Sequence, residues 1–273
     1  MLILILPVLL QQASLGIPAA ALPPAASTAG ELATARAAIA SGRLEEASTL
    51  LMLFDAQHPD EDGEALALAK GELALERGSL DEAERLVEQV AATGDLRCGI
   101  ERIRGLGLAQ RGYDDAAIVT LGDVVERCAP DWRVWRALGS MLAARGDAEA
   151  SRFAFAHAQQ AAPGRIAISR DFARALVTLG DVIGASETLQ AALRDAPQDG
   201  ETRRLLDYVG GLRGFEPERA TGDTNDEWAQ RLVAAAQGAR QADLPDLARA
   251  LVGQALLVSP RYDRQLLAEA RQP

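Results

Sequence analysis

The stretch that decides the fold is residues 132–165, which read WRVWRALGSMLAARGDAEASRFAFAHAQQAAPGR. Two segments rich in alanine and leucine flank Gly146, and Pro163 follows the second segment. Because glycine accepts the left-handed backbone conformation that ends many helices and proline cannot continue a helix, the stretch predicts two helices joined by a short turn. Gly139 and Ser151 lie seven residues before and five after Gly146, where small side chains would let two antiparallel helices approach closely.

The same arrangement recurs along the chain at intervals of 34 residues, with a first interval of 36. The turn glycines are Gly42, Gly78, Gly112, Gly146 and Gly180. The small residues seven positions before them are Ala35, Gly71, Gly105, Gly139 and Ala173. A fixed period of this length is the signature of a repeat array, in which each unit packs on the next.

This pattern resembles the tetratricopeptide repeat (TPR), a 34-residue helix-turn-helix unit. Residues 132–165 match it most fully, with Trp135, Leu138 and Gly139 in the family's order. The resemblance implies an all-α fold, a TPR α-solenoid whose hairpins stack into a right-handed superhelix. It also implies a scaffold or adaptor that binds a protein or peptide in the concave groove, which the first helix of each unit lines.

The repeat pattern divides the chain into an array over 28–212 and a terminal segment. We predict five full units, at 28–61, 64–97, 98–131, 132–165 and 166–199, followed by a lone first helix at 200–212. Charged and turn-forming residues at 213–226 predict a linker in place of that helix's partner. Residues 227–273 are predicted to form a divergent TPR-like hairpin, with a turn longer than the repeat's, and a capping helix from Tyr262 to Arg271.

The composition argues against several classes of function. A formal net charge of −11, from 39 acidic and 28 basic residues, disfavours binding to nucleic acid or to an anionic membrane surface. With two histidines and two cysteines in the chain, a zinc site of these ligands is not expected, and no cofactor is predicted. No nucleophile, base and orienting group lie at a recognisable spacing, so the sequence predicts a protein without enzymatic activity.

The N-terminal residues have the features of a secretory signal peptide. Residues 2–10 are almost entirely apolar but too few to span a bilayer, and Ala19, Ala20 and Ala21 offer the small residues that signal peptidase accepts. We therefore expect a signal peptide at 1–21, a linker rich in proline and alanine at 22–27, and a periplasmic protein without stable membrane insertion after processing. A cytoplasmic protein with an apolar tail is the alternative.

Cys98 and Cys128 are the first and thirty-first residues of one unit. In an antiparallel hairpin with its turn near Gly112, the two cysteines would stand at similar heights, which makes a disulfide reasonable. Two separate buried thiols, as expected in a reducing compartment, are the alternative.

Arginines recur in the fifth position of successive first helices, at Arg102, Arg136, Arg170 and Arg204. We call these four residues the arginine ladder. In TPR proteins this position is among those that touch bound peptide, and Arg133, Arg174 and Tyr208 share the same helix face. The resemblance therefore implies a basic groove that binds an acidic segment or a chain's C-terminal carboxylate. The alternative is that the ladder pairs with local acids such as Asp171 and Asp207.

The chain is similar in general terms to small exported TPR proteins of bacterial secretion and pilus assembly, including tight-adherence pili. This similarity implies an adaptor in a cell-envelope machine. A structural module that forms homo-oligomers and binds no ligand in its groove is the alternative.

Overall fold

The computed structural model describes residues 28–59, 63–91, 93–129 and 131–258. These residues form thirteen α-helices and no β-strand. The helices are α1 (Thr28–Ala40), α2 (Leu44–Gln57), α3 (Gly63–Glu76), α4 (Leu80–Glu88), α5 (Gly94–Gln110), α6 (Asp114–Arg127), α7 (Trp132–Ala144), α8 (Ala148–Ala161), α9 (Ile166–Thr178), α10 (Val182–Asp195), α11 (Gly200–Leu212), α12 (Asn225–Gln241) and α13 (Pro245–Val258). The predicted signal peptide, the linker at 22–27 and the capping helix at 262–271 lie outside the described residues.

Consecutive helices from α1 to α10 pack as five antiparallel hairpins, each closed by the same turn. The turn glycine has a positive φ in every hairpin, from 76° at Gly78 to 81° at Gly146. In the α7/α8 hairpin the amide of Asp147 donates to the carbonyl of Leu142, at 3.0 Å, which satisfies a carbonyl at the helix end. The glycine spacing in the sequence therefore identifies these turns correctly.

The small residues lie where the two helices of a hairpin touch. A Cβ atom on Gly139 would lie 2.7 Å from the ring of Phe155, and the Ser151 hydroxyl donates to the Gly139 carbonyl at 2.8 Å. A Cβ atom on Gly105 would lie 2.5 Å from Leu121. These contacts fix the distance between α7 and α8 and between α5 and α6.

The boundary predicted between the second and third units, at 97/98, is wrong. Helix α5 already begins at Gly94, after the extended residue Thr93, and α4 ends at Glu88. The short α4 leaves room for the longer α5, so residues 94–97 belong to the third hairpin. Cys98 therefore lies inside α5, where it is bonded to Cys128 with their Cα atoms 5.9 Å apart.

The helix at 200–212 was predicted to have no partner, and this prediction is wrong. No helix forms over 215–224, but α12, which begins two residues before the predicted segment at 227, packs directly on α11. A Cβ atom on Gly211 would lie 2.0 Å from the Ala235 carbonyl oxygen, and one on Gly238 would lie 2.0 Å from the Tyr208 carbonyl oxygen. Two glycines thus let the helix backbones touch.

The turn between α12 and α13 was predicted to be longer than the repeat's, which is also wrong. Three residues separate these helices, as they separate α7 from α8. Asp243 takes the place of the turn glycine with a φ of 57°, and the Leu244 amide donates to the Ala239 carbonyl at 2.9 Å. Aspartate is among the few residues that adopt this conformation without a large cost, so the hairpin closes normally.

Across the four described ranges, no helix combines the length and the apolar character that a membrane crossing requires.

Candidate functional site

The inner face of the array contains two adjoining cavities. The larger, of about 460 Å³, lies between α3, α5 and α7, and the smaller, of about 260 Å³, extends it towards α1. Both are lined by Leu75, Glu76, Leu106 and Arg133. We call this continuous hollow the groove. First helices of four successive hairpins contribute residues to it.

Trp132 lines the larger cavity, and three guanidinium groups lie close to its indole ring. Their central carbons lie 4.3 Å (Arg165), 4.8 Å (Arg133) and 5.9 Å (Arg136) from the ring centroid. Guanidinium groups at such distances are attracted by the ring and held in place by it. Sequence reasoning missed Trp132 and Arg165, although a second tryptophan three residues before the consensus Trp135 was a usable signal.

The cavity around Trp132 has both an apolar and a polar wall. Leu75, Leu106, Ala137 and Met141 form the apolar wall, Glu76, Gln110 and Asp114 add polar groups, and Ser140 and Ala144 are exposed. A concave site with an apolar wall and a few fixed polar groups is the common form of a binding site in proteins.

On the side of the groove towards α1, acidic residues neutralise the charges of the arginines. Glu72, which is buried, accepts from both Arg36, at 2.7 and 3.0 Å, and Arg102. Arg102 also lies 3.5 Å from Asp131. The hydrogen bonds that Arg36 donates to Glu72 raise the pKa of Arg36, so its guanidinium stays charged. A second acid, Glu76, lies 2.5 Å from Arg133.

The same arrangement continues over α9 and α11. Asp171 pairs with Arg136 and, at 2.8 Å, with Arg174. Arg170 is held by Asp199 and by Glu201, each at 3.0 Å. Burial would raise the pKa of Asp199, but the Thr202 amide and Arg170 outweigh burial and lower the pKa below its usual value. Asp199 is therefore a carboxylate at neutral pH.

The last ladder residue lies away from the cavities. Arg204 donates to the side chain of Gln230 at 3.3 Å, and the Tyr208 hydroxyl donates to Gln241. Both acceptors belong to α12, which packs on α11. The structure thus brings Arg102, Arg133 and Arg136 to the groove, whereas Arg170, Arg174, Arg204 and Tyr208 do not line either of its cavities.

The expectation of a basic groove is wrong for the part of the chain that the structure describes. The acids that alternate with the arginines are Glu72, Glu76, Asp131, Asp171, Asp199 and Glu201. Three of the four ladder arginines form ion pairs with them, as the alternative interpretation predicted for Asp171. Asp207 pairs instead with Arg231, at 2.7 Å. The side chain of Arg136 remains 40% exposed, against 18% for Arg102 and 16% for Arg170.

Comparison with known proteins identifies the fold. No protein-family model matches the chain, and no curated protein matches its sequence significantly. The structure is similar to the APC/C hetero-tetramer Cut9–Hcn1, with 17% identity and a TM-score of 0.55, over 88% of this chain and 48% of that one. It is also similar to the C-terminal part of a TPR repeat-containing protein from Cytophaga hutchinsonii, with 13% identity and a TM-score of 0.50, over 88% and 100% of the two chains.

The fold of this chain is therefore a TPR α-solenoid, an all-α stack of helical hairpins. The chain spans about half the length of the first of these proteins.

Proposed function

We propose that this protein is a non-enzymatic scaffold that binds a segment of a partner protein in the groove. The observation that carries the proposal is the cavity of about 460 Å³ in which Trp132 and an apolar wall lie beside the partly exposed Arg136. An aromatic residue and an arginine in a concave surface are the residue types that contribute most to binding protein partners.

The charge pairs in the groove limit which side chains of a partner can bind there. Because the ladder arginines Arg102, Arg136 and Arg170 already pair with acids, a strongly acidic ligand gains little from these three residues. We infer a segment with an apolar side chain for the wall of the cavity and a carboxylate for Arg136, supplied by an acidic residue or a chain's C-terminus.

Filling the cavity is the cleanest test of this function, since the ladder arginines also hold neighbouring hairpins together. Ala144→Trp adds a large side chain at the exposed edge of the cavity, and Ala116→Trp adds the same side chain on an exposed site of α6 outside it. We expect peptides selected from a random phage library on the unchanged protein to bind Ala144→Trp at least about tenfold more weakly, which corresponds to 1.4 kcal/mol.

Ala116→Trp is expected to bind the same peptides as tightly as the unchanged protein. Equal loss of binding in the two variants, or none in Ala144→Trp, would contradict binding in the groove. If no peptide is enriched and sedimentation shows a concentration-dependent oligomer, the self-association alternative is favoured instead.

We further propose that the protein works in the bacterial periplasm, in an assembly such as a pilus or a secretion system. The sequence of residues 1–21 and the bond between Cys98 and Cys128 support export, because disulfides persist in oxidising compartments. Structural similarity at these identities indicates the fold alone, so the pathway rests on the sequence.

Intact mass analysis of the protein from its native host tests the compartment. We expect the mass of a chain that lacks residues 1–21 and has no free thiol after denaturation. On the loop-entropy model, reducing the bond, which closes a loop of 30 residues, is expected to lower the free energy of unfolding by about 3 to 4 kcal/mol. A full-length chain with two alkylatable cysteines would argue for the cytoplasmic alternative.

A further inference from the structure

The C-terminal end of α1 is held by two arginines from distant hairpins. Nη2 of Arg133, on α7, donates to the carbonyl of Ile39 at 3.1 Å, and Nη2 of Arg165, just before α9, donates to the carbonyl of Ala40 at 2.8 Å. These residues are 94 and 125 positions apart in the chain. The first hairpin therefore touches the fourth hairpin and the start of the fifth.

The charges at this contact are complementary. Carbonyl groups in the last turn of a helix form the negative end of the helix dipole, and the Ile39 carbonyl accepts from both the Gly42 amide, at 3.0 Å, and Arg133. The two arginines are held in position to meet them, because both guanidinium groups lie over the ring of Trp132. Arg133 is further fixed by Glu76 on α3.

Side chains carry this contact, whereas neighbouring hairpins pack helix against helix. The packing partners of α1 are α2 and α3, and no comparable packing joins α1 to α7 or α9 in the described ranges. A contact through two side chains can break while α1 and α2 keep their shared core with α3, so opening requires a bend between hairpins rather than the release of the first hairpin.

The contact also narrows the groove on one side. The smaller cavity has α1 on one wall and α7 on the other, with α3 and α5 between them. The side chains of Arg133 and Arg165 bridge the gap between the end of α1 and α7, and they narrow access from this side to the part of the groove beside Trp132.

We propose that the end of α1, with Arg133, Trp132 and Arg165, is a latch that closes the groove and that an acidic peptide segment opens it. A carboxylate is a stronger acceptor for arginine than a peptide carbonyl, so an acidic segment competes with α1 for the same two donors. This inference rests on the proposed function for the identity of the opener, but the latch itself can be tested without any ligand.

The test is the distance between two nitroxide labels on opposite sides of the latch, measured by pulsed electron paramagnetic resonance. The labels are placed at the exposed positions Thr49→Cys on α2 and Gln160→Cys on α8. The native cysteines are bonded to each other, so the introduced cysteines react selectively. We expect one short, narrow distance distribution for the unchanged protein.

Removing the arginines should open the latch. Arg165→Gln is expected to broaden the distribution, and Arg133→Gln together with Arg165→Gln is expected to make a longer distance the main population. The control is Arg152→Gln, which loses only a contact with Asp181 in the next hairpin. Circular dichroism must show unchanged helix content, and an unchanged distance in a folded double variant would overturn the latch.

The opener is tested on the unchanged latch with a hexaglutamate peptide, against hexaglutamine as a control. We expect hexaglutamate to lengthen the distance and hexaglutamine to leave it unchanged. If the double variant opens but hexaglutamate has no effect, the acidic opener is wrong. A separate result would show that the proposed function is wrong: the phage-selected peptides would bind Ala144→Trp as tightly as the unchanged protein.

Discussion

Replacing Arg231 with methionine is expected to lower the free energy of unfolding by about 3 to 5 kcal/mol at pH 7. Arg231 is buried on α12 and lies 2.7 Å from Asp207 on α11 and 2.5 Å from Asp223, which precedes α12. Without this guanidinium, Asp207 would be a buried carboxylate with no ion-pair partner, since the nearby Arg203 pairs with Asp223 at 3.2 Å.

The loss should depend on pH in a defined direction. Burial already raises the pKa of Asp207 above its usual value, and removing Arg231 raises it further. A carboxyl group whose pKa is raised by folding binds its proton more tightly in the folded state, so stability falls as pH increases through that range. We therefore expect Arg231→Met to cost less at pH 5 than at pH 7.

Two further variants test whether the loss of stability comes from the buried ion pairs of Arg231 or follows from removing any arginine. Adding Asp207→Leu to Arg231→Met is expected to recover much of the lost stability, since an apolar pair can replace a buried ion pair. Arg249→Met, which removes an exposed pair with Asp246 on α13, is expected to change stability by less than about 0.5 kcal/mol. Urea unfolding measures all three, and an equal cost for Arg231→Met and Arg249→Met would contradict the network.

The second large effect is expected for Gly238→Ala. The added Cβ atom would lie 2.0 Å from the carbonyl oxygen of Tyr208 and 2.9 Å from the amide nitrogen of Leu212. Because these are backbone atoms of α11, no side-chain rotation relieves the overlap and the two helices must separate. We expect a cost of about 3 kcal/mol, at the upper end of the usual effects of overpacking.

Gly253→Ala is the matched control for this prediction. Gly253 is exposed in the middle of α13, and a Cβ atom there would meet nothing within 4 Å. Alanine in a helix interior is favoured over glycine, so Gly253→Ala is expected to stabilise the protein by about 0.5 to 1 kcal/mol. Since repeat arrays can unfold in parts, hydrogen exchange of α12 and α13 is the appropriate measurement. Equal exchange rates in the two variants would show that α11 and α12 are not in close contact.

The turn glycines and the small residues predicted the hairpins because their roles are local. A left-handed residue and a close helix contact depend on a few neighbours, so the residues responsible recur at equivalent positions of each repeat. Two further residues at equivalent positions were signals that the sequence interpretation missed. Gly214 lies 34 residues after Gly180 and has a φ of 78°, and Asp243 lies five residues before Ala248, as Gly146 lies five residues before Ser151.

A third missed signal is Asp207, which lies 34 residues after Ala173 and so takes a position that holds a small residue in the five earlier units. An aspartate in a position where helices touch requires a buried cation, and the structure supplies Arg231. The sequence could have shown that the sixth unit departs from the repeat, but not which arginine fills this role.

The groove could be predicted less well, because it depends on how the array curves. The 34-residue spacing places Arg102, Arg136 and Arg170 on one face, but the acids that pair with them lie 29 to 35 residues away, in neighbouring hairpins. Their partners depend on the angle between adjacent hairpins. The contact of Arg165 with Ala40 spans 125 residues and needs the curvature of the whole first half of the array.

Binding of a protein segment in the groove around Trp132 is tested most directly by site-specific photo-crosslinking. A photoreactive amino acid replaces either Ser140, at the edge of the cavity, or Ala116, on α6 outside it, and the phage-selected peptide is added to each. We predict crosslinking from position 140, little from position 116, and loss of the product when Ala144→Trp fills the cavity. Equal crosslinking from both positions, or a product that persists in Ala144→Trp, would contradict the groove as the binding site.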